Sequence, residues 1–151
     1  MATEITTVTG SVLDRSLAEG IAVFIPEGLT AINPDANDFF QQVTGRAPAG
    51  AFEFAAVRSG EGQLKFLCLV DNNERKINSI DDMRSQIEEV LNAFAGKGVK
   101  SIAMNGIRCD NRDQTIRPEK YQRQFVEEYL AKHPGVFEKI ILVDARGGFD
   151  R

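Results

Sequence analysis

Cysteine and histidine are scarce: Cys68, Cys109 and His133 are the only ones in 151 residues. A disulfide framework needs more cysteines and a zinc site needs Cys and His at short spacing, so neither is expected. Reduced thiols of the cytosolic kind fit this usage. No run approaches the roughly 18 apolar residues of a membrane span. The opening Met1-Ala2-Thr3-Glu4-Ile5 lacks a basic segment followed by an apolar one, so the chain is expected in the cytoplasm and off the membrane. Positive charge is also short, with 18 Lys and Arg against 22 Asp and Glu and a net charge of -4. A general nucleic-acid binder needs basic side chains to displace phosphate counterions, so that class is excluded while a local phosphate site is not. There is no internal repeat, low-complexity tract or linker.

What is present is an ordinary globular composition, 42% hydrophobic and 26% charged. The length suits one domain over residues 1–151 that buries roughly two-thirds of its unfolded surface. Ile5-Thr6-Thr7-Val8-Thr9 is β-branched and half polar, as a strand near a sheet edge is, and Gly10 ends it. Ile21-Ala22-Val23-Phe24-Ile25 is apolar throughout, which fits a strand covered on both faces, and Pro26 and Gly28 stop it. Asn33-Pro34-Asp35 offers a turn and cap for a helix over Ala36 to Val43, closed by Gly45.

Ala51 to Arg58 and Gln63 to Val70 are strand-like runs flanking Ser59-Gly60-Glu61-Gly62, an antiparallel hairpin by loop length. Ser79 precedes Ile80, Met83, Ile87, Val90, Leu91 and Phe94, whose spacing makes one helical face, with Asp82 complementing its start. Lys100 to Met104 is a short apolar strand that breaks into a polar loop. Tyr121, Phe125, Val126, Tyr129 and Leu130 give a second amphipathic helix after Pro118, stopped by His133-Pro134-Gly135, and Lys139 to Asp144 is a last buried strand. The second half thus reads strand, helix, strand, helix, strand, which right-handed crossovers make parallel with helices over the sheet. The expected class is α/β, a three-layer α/β/α domain whose sheet is mixed but largely parallel, the first half supplying its margin.

In such sheets ligands bind beyond the carboxyl ends of the strands. The candidate ligand site is therefore the turn Pro26, Glu27, Gly28 together with Asn105, Gly106, Arg108, Asp110, Asn111 and Arg112. Arg108 leads, because it follows the strand end and its guanidinium suits bidentate anion contacts. Arg108, Arg112, Arg117, Lys120 and Arg123 outnumber Asp110, Asp113 and Glu119, although solvated charges pairing among themselves are the default reading of such a stretch. Asp71, Asp110, Asp113 and Asp144 at strand ends admit a magnesium-type site, but strand ends carry Asp simply because the chain turns there. Cys109 near Arg108 and Arg112 admits a thiolate nucleophile; without a nearby base it reads as a small loop residue, and Cys68 as core. His133 is assigned to closing its helix by contacting the last carbonyls. No catalytic residue, metal or cofactor is assigned, and the reading leans away from an enzyme.

This order of elements, with several local strings, resembles a macro domain, the α/β/α module that binds ADP-ribose. Thr7-Val8-Thr9-Gly10-Ser11-Val12 is similar to that family's opening, Ile21 to Gly28 to its strand before an asparagine-rich turn, Gly50 to Val70 to its hairpin, Lys100 to Asp110 to its strand and second loop, and Phe137 to Val143 to its final strand. Ser11 stands where the family's adenine-recognising Asp would be, the turn after Ile25 reads Pro26-Glu27-Gly28 with no asparagine, and Asp110 stands where a glycine lets backbone N–H groups approach the diphosphate. The resemblance implies a divergent member that keeps the framework without the usual ligand-site motifs. It implies a nucleotide or other small anionic ligand in the crevice, with weak or no ADP-ribose binding. The alternatives are an interaction or homo-oligomerisation module with a vestigial pocket, and a metal-assisted phosphoester hydrolase.

Overall fold

The computed structural model describes residues 3–25, 34–58, 62–72, 74–107 and 118–144. In chain order the elements are β1 (Glu4–Thr9), β2 (Gly20–Ile25), α1 (Pro34–Thr44), β3 (Phe52–Ala56), β4 (Phe66–Asp71), α2 (Ile80–Ala95), β5 (Ser101–Asn105), α3 (Pro118–Lys132) and β6 (Lys139–Asp144). The strands form a six-stranded sheet in the order β1-β6-β5-β2-β4-β3. Every neighbouring pair is parallel except β3 with β4.

The apolar runs dictate which strands lie inside. All six residues of β2 are buried, as are the middle residues of β4, β5 and β6. Such strands must be covered on both faces, because alternate side chains point to opposite sides. One face, carrying Ala22, Phe24, Cys68, Ile102, Met104, Ile140 and Leu142, packs on α2 and α3. The other, with Ile21, Val23, Leu67, Leu69, Ala103, Ile141 and Val143, packs on Ala36, Phe40 and Val43 of α1 and on Val12 and Ala18 of the β1–β2 connection. Ile102, Ala103, Ile141 and Val143 are core, as both runs predict. β1, half polar, takes one edge of the sheet.

Two expectations need correction. The first half of the chain does not supply only a margin: β2 lies between β4 and β5 in the sheet interior, and β3 is the antiparallel strand among the described residues. Pairing between strands distant in sequence decides this order, and no local pattern encodes it. The second strand of the hairpin also starts later than Gln63. Gln63 and Leu64 donate to the Arg15 carbonyl and Lys65 and Phe66 to that of Glu19, so the backbone over 63–65 bonds to the β1–β2 connection before β4 begins.

Local chemistry fixes the helix ends. Ser79 Oγ accepts from the Asp82 N–H at 3.1 Å, and Asp82 Oδ2 accepts from the Asn78 N–H at 2.9 Å, a reciprocal cap at the start of α2. Gly45 closes α1 at φ 82°, where a Cβ would stand 2.6 Å from Arg58 Nη1. Gly20 opens β2 under Phe94, whose Cε1 would lie 2.6 Å from an added Cβ, so α2 reaches the sheet only over a glycine. Tyr129 ties α3 to α2 by donating to Asn92 Oδ1 at 2.7 Å.

Candidate functional site

The sheet parts at one place. The β2–β5 ladder runs from Gly20↔Ile102 to Ala22↔Met104 and goes no further, although β2 continues to Ile25 alongside β4. At this point the carboxamide of Asn105 replaces the missing backbone partner. Its Oδ1 accepts from the Phe24 N–H at 2.7 Å and its Nδ2 donates to the Phe24 carbonyl at 2.9 Å. The backbone of β5 can therefore leave the sheet at Gly106 without stranding the polar groups of β2.

The root of that departing loop is held from below by α3. Gln122, fully buried, accepts from the Ile107 N–H through Oε1 at 2.7 Å and donates through Nε2 to the Asn105 carbonyl at 2.9 Å. One side chain thus satisfies both a donor and an acceptor of a segment that has lost its ladder, and Ile107 is locked into the α2–α3 core. The root of a binding loop has to be held in this way.

Of the residues singled out for ligand binding, Asn105 and Gly106 sit at this parting point. Both polar atoms of the Asn105 side chain are engaged by Phe24, so its part there is to set the geometry. Pro26, Glu27, Gly28, Arg108, Asp110, Asn111 and Arg112 lie outside the described residues, as do Cys109 and Asp113. The described residues that precede them, Ile25 and Ile107, stand at and just beyond the carboxyl ends of the adjacent strands β2 and β5.

The remaining candidates fall elsewhere. Arg123 pairs with Glu127 at 3.3 Å, an ordinary i,i+4 surface pair, and Lys120 is exposed. Asp71 ends β4 and Asp144 ends β6, three strand positions apart, which at the usual spacing is about 14 Å. By strand alternation they also face opposite sides of the sheet, so these two carboxylates do not share one ion. Among the described residues no group of three or more His, Cys, Asp or Glu is placed to hold a metal. Cys68 is core, its thiol pKa pushed up by burial. The His133 N–H donates to the Tyr129 carbonyl at 3.0 Å, one of the last of α3, and its ring lies tilted 4.3 Å from that of Tyr129. Ser11, exposed after β1, accepts from the Leu13 N–H at 3.1 Å and so shapes its own turn.

Sequence reasoning missed Gln122, although a signal was available. It stands three, four and seven residues before Phe125, Val126 and Tyr129, on the buried face of α3, where an uncharged polar residue has to find a specific partner. Gln86 is the same case on α2. It shares the buried face with Met83 and Val90, accepts from Asn72 Nδ2 at 2.8 Å and donates to the Arg75 carbonyl at 3.0 Å.

No family model matches the chain, and no curated protein matches it by sequence. Solved structures do. The macro domain of ganglioside induced differentiation associated protein 2 superposes with a TM-score of 0.67 at 14% identity, over 97% of this chain and 81% of that one. A Trypanosoma brucei macrodomain in complex with ADP-ribose gives 0.67 at 9% identity, over 97% and 68%. The macrodomain of Mycobacterium tuberculosis DarG gives 0.62 at 14% identity, over 93% and 97%. The chain has a macro-domain fold, and the low identities fit a sequence that has diverged far within it.

Proposed function

We propose that the chain is a macro-type binding domain that takes a nucleotide or other small anion at the carboxyl ends of β2 and β5. The observation that carries this reading is the parting of those strands at Asn105, with the loop root locked by Gln122. A domain that needed only a closed sheet would continue the ladder. This one ends it at the crevice position and commits two side-chain amides to holding it there. Structures with this fold supply the ligand class: the T. brucei macrodomain is seen with ADP-ribose and with ADP. In this reading the anion contacts fall to Arg108, with Arg112, Asn111 and backbone N–H groups of Gly106 and its successors, and Pro26, Glu27 and Gly28 complete the site. Asp110 beside a phosphate repels it, which moves the preference away from the family's usual diphosphate geometry.

The two alternatives have less support. The large hydrophobics exposed among the described residues are Val8 and Ile80, at 39% and 37%, on β1 and at the start of α2, and they form no apolar docking patch. A hydrolase built on strand-end carboxylates loses the pair Asp71 and Asp144 to their separation. The test is a thermal-shift screen over nucleotides, sugar phosphates and divalent ions. A ligand at a hundred times its Kd should stabilise the fold by about 2.7 kcal/mol. If nucleotides and phosphates leave the melting curve unmoved while an added copy of the chain raises it, the interaction module is the better reading.

A further inference from the structure

β3 is the outermost strand of the sheet at the end away from β1, and it pairs with β4. At the two ends of that ladder the Asp71 N–H donates to the Ala51 carbonyl at 2.8 Å and the Val57 N–H donates to that of Lys65 at 2.8 Å. Backbone groups along an antiparallel pair alternate in direction, so Ala51, Glu53, Ala55 and Val57 bond to β4 while Phe52, Phe54 and Ala56 turn their N–H and C=O groups outward. Among the described residues nothing meets those outward groups. We propose that a second copy of this chain does, through antiparallel pairing of the two β3 strands about a two-fold axis at Phe54, which joins the two sheets into one.

The open stretch is bounded symmetrically. Beyond Ala56 the Arg58 N–H donates to the Val43 carbonyl at 2.7 Å, and before Phe52 the carboxylate of Glu53 takes the Ala49 N–H at 2.6 Å together with that of Gly50. What remains free is centred on Phe54, and a closed, self-complementary contact needs such a centre. Phe54 meets the second copy's Phe54 and Phe52 meets its Ala56, each pair exchanging two hydrogen bonds. Glu53 then lies opposite an alanine, Ala55 of the second copy. An axis at Glu53 would instead set two carboxylates face to face, so charge selects the register at Phe54.

The devices that blunt a sheet edge are missing here. β3 carries no proline or lysine, and its register with β4 runs without a bulge. Its one charge, Glu53, turns to the α1 side, where Arg46 Nη2 at 2.9 Å and the Ala49 N–H compensate it, so it does not guard the edge. Phe54 is stacked on Phe66 with ring centroids 5.5 Å apart and stands edge-on to Phe94 at 5.1 Å, so a partner strand meets an edge that is already ordered. The opposite edge is a poorer template, because β1 is mostly polar and its Thr7 already has a partner. Backbone carries the contact, so it needs no large exposed apolar patch. β3 lies beyond β4 from β2, so the pairing leaves the β2–β5 crevice open and is independent of the nucleotide reading.

The experiment is sedimentation equilibrium of the whole chain between about 10 μM and about 1 mM, because a contact one short strand long is weaker than a standard interface. The mass should rise towards that of a dimer. Hydrogen exchange across the same range identifies the face. The amides of Phe52, Phe54 and Ala56 should gain protection with concentration, while those of Glu53, Ala55 and Val57 are protected throughout by β4. Ala56→Pro removes one outward N–H and leaves the β4 ladder intact, a place where an edge strand tolerates proline. It should hold the chain monomeric with an unchanged urea midpoint; if it fails to fold, the exchange pattern of the unaltered chain decides alone. A monomer over the whole range, a dimer that survives Ala56→Pro, or a dimer whose Phe52, Phe54 and Ala56 amides still exchange freely would overturn the proposal. Nucleotide binding at the β2–β5 crevice stands or falls separately.

Discussion

Asn105 acts as a backbone surrogate for Phe24: its carboxamide gives and takes the two hydrogen bonds that a continuing strand would supply, at 2.9 and 2.7 Å. One side chain therefore separates the two functions of β5, which is a core strand up to Met104 and the base of a loop from Gly106 onward.

Replacing Asn105 by Ala should leave the Phe24 N–H and carbonyl without partners at a partly buried position, at a cost of about 1–3 kcal/mol. Asn105→Asp should recover little, because a carboxylate accepts from the N–H but faces the carbonyl with another acceptor. Urea unfolding gives the stability, and hydrogen exchange at the Phe24 amide reports the local opening. Protection of that amide equal to wild type in Asn105→Ala would show that water or Gly106 takes over the pairing.

Ile141 lies in the α1-side core with Ala103, Val143 and Ile21, and its burial is nearly complete. Ile141→Ala should cost about 2–5 kcal/mol in denaturant unfolding, from lost transfer energy plus the cavity left behind. A change below about half a kilocalorie would remove β6 from the core.

Much of this core was legible in the sequence, because β2, β5 and β6 are apolar at consecutive positions and only a doubly covered strand tolerates that. The α2 start was legible too, since Ser79 and Asp82 carry their capping chemistry within four residues. Strand order was not: β2 enters between β4 and β5 through pairings separated by tens of residues, and nothing near Gly20 announces them. Asn105 reads as a ligand contact because a polar residue ends an apolar strand; what the fold adds is that both polar atoms of its amide bond Phe24. Gln122 needed the periodicity of α3 read as strictly for polar residues as for apolar ones.

Acid should weaken the fold in part through Glu19. Its carboxylate is hydrogen-bonded by Lys65 at 3.0 Å and by the Lys100 N–H at 3.0 Å, which together hold its pKa below the ordinary 4.5 in spite of some burial. A carboxylate with a depressed folded pKa contributes stability that is fully present above about 4.5 and is lost as the pH falls through the folded value. Unfolding free energy measured at pH 7 and downward should fall below about pH 4.5. Glu19→Gln should lower the neutral-pH value and flatten that slope; an unchanged slope would assign acid sensitivity to other carboxylates.

ADP-ribose should bind weakly or not at all, despite the fold. Ser11 offers an adenine no carboxylate and already bonds its own turn at Leu13, the turn Pro26-Glu27-Gly28 after Ile25 holds no asparagine, and Asp110 brings negative charge to the diphosphate position. Titration calorimetry decides this directly. Low-micromolar affinity would mean that other groups have replaced the family's contacts, with backbone N–H groups beyond Gly106 the first to examine.

Arg108 is the residue on which an anion site should depend, because it is the first cation beyond the loop root that Gln122 fixes at Ile107. A guanidinium launched from a fixed origin can meet a phosphate or carboxylate bidentately, and such a charge-assisted contact is worth about 1.5–3 kcal/mol. Arg108→Ala should therefore weaken a nucleotide found in the thermal-shift screen by that amount, with little change in unfolding free energy. Affinity should also fall as salt rises, since the contact is ionic. Arg108→Lys keeps the charge but loses the planar fork, and should fall between the two. Unchanged affinity in Arg108→Ala, for a nucleotide whose chemical-shift changes map to Asn105 and Gly106, would remove the anion site from this loop. Lost stability with retained affinity would make Arg108 a structural partner of a loop carboxylate, and the interaction-module reading would then account better for the crevice.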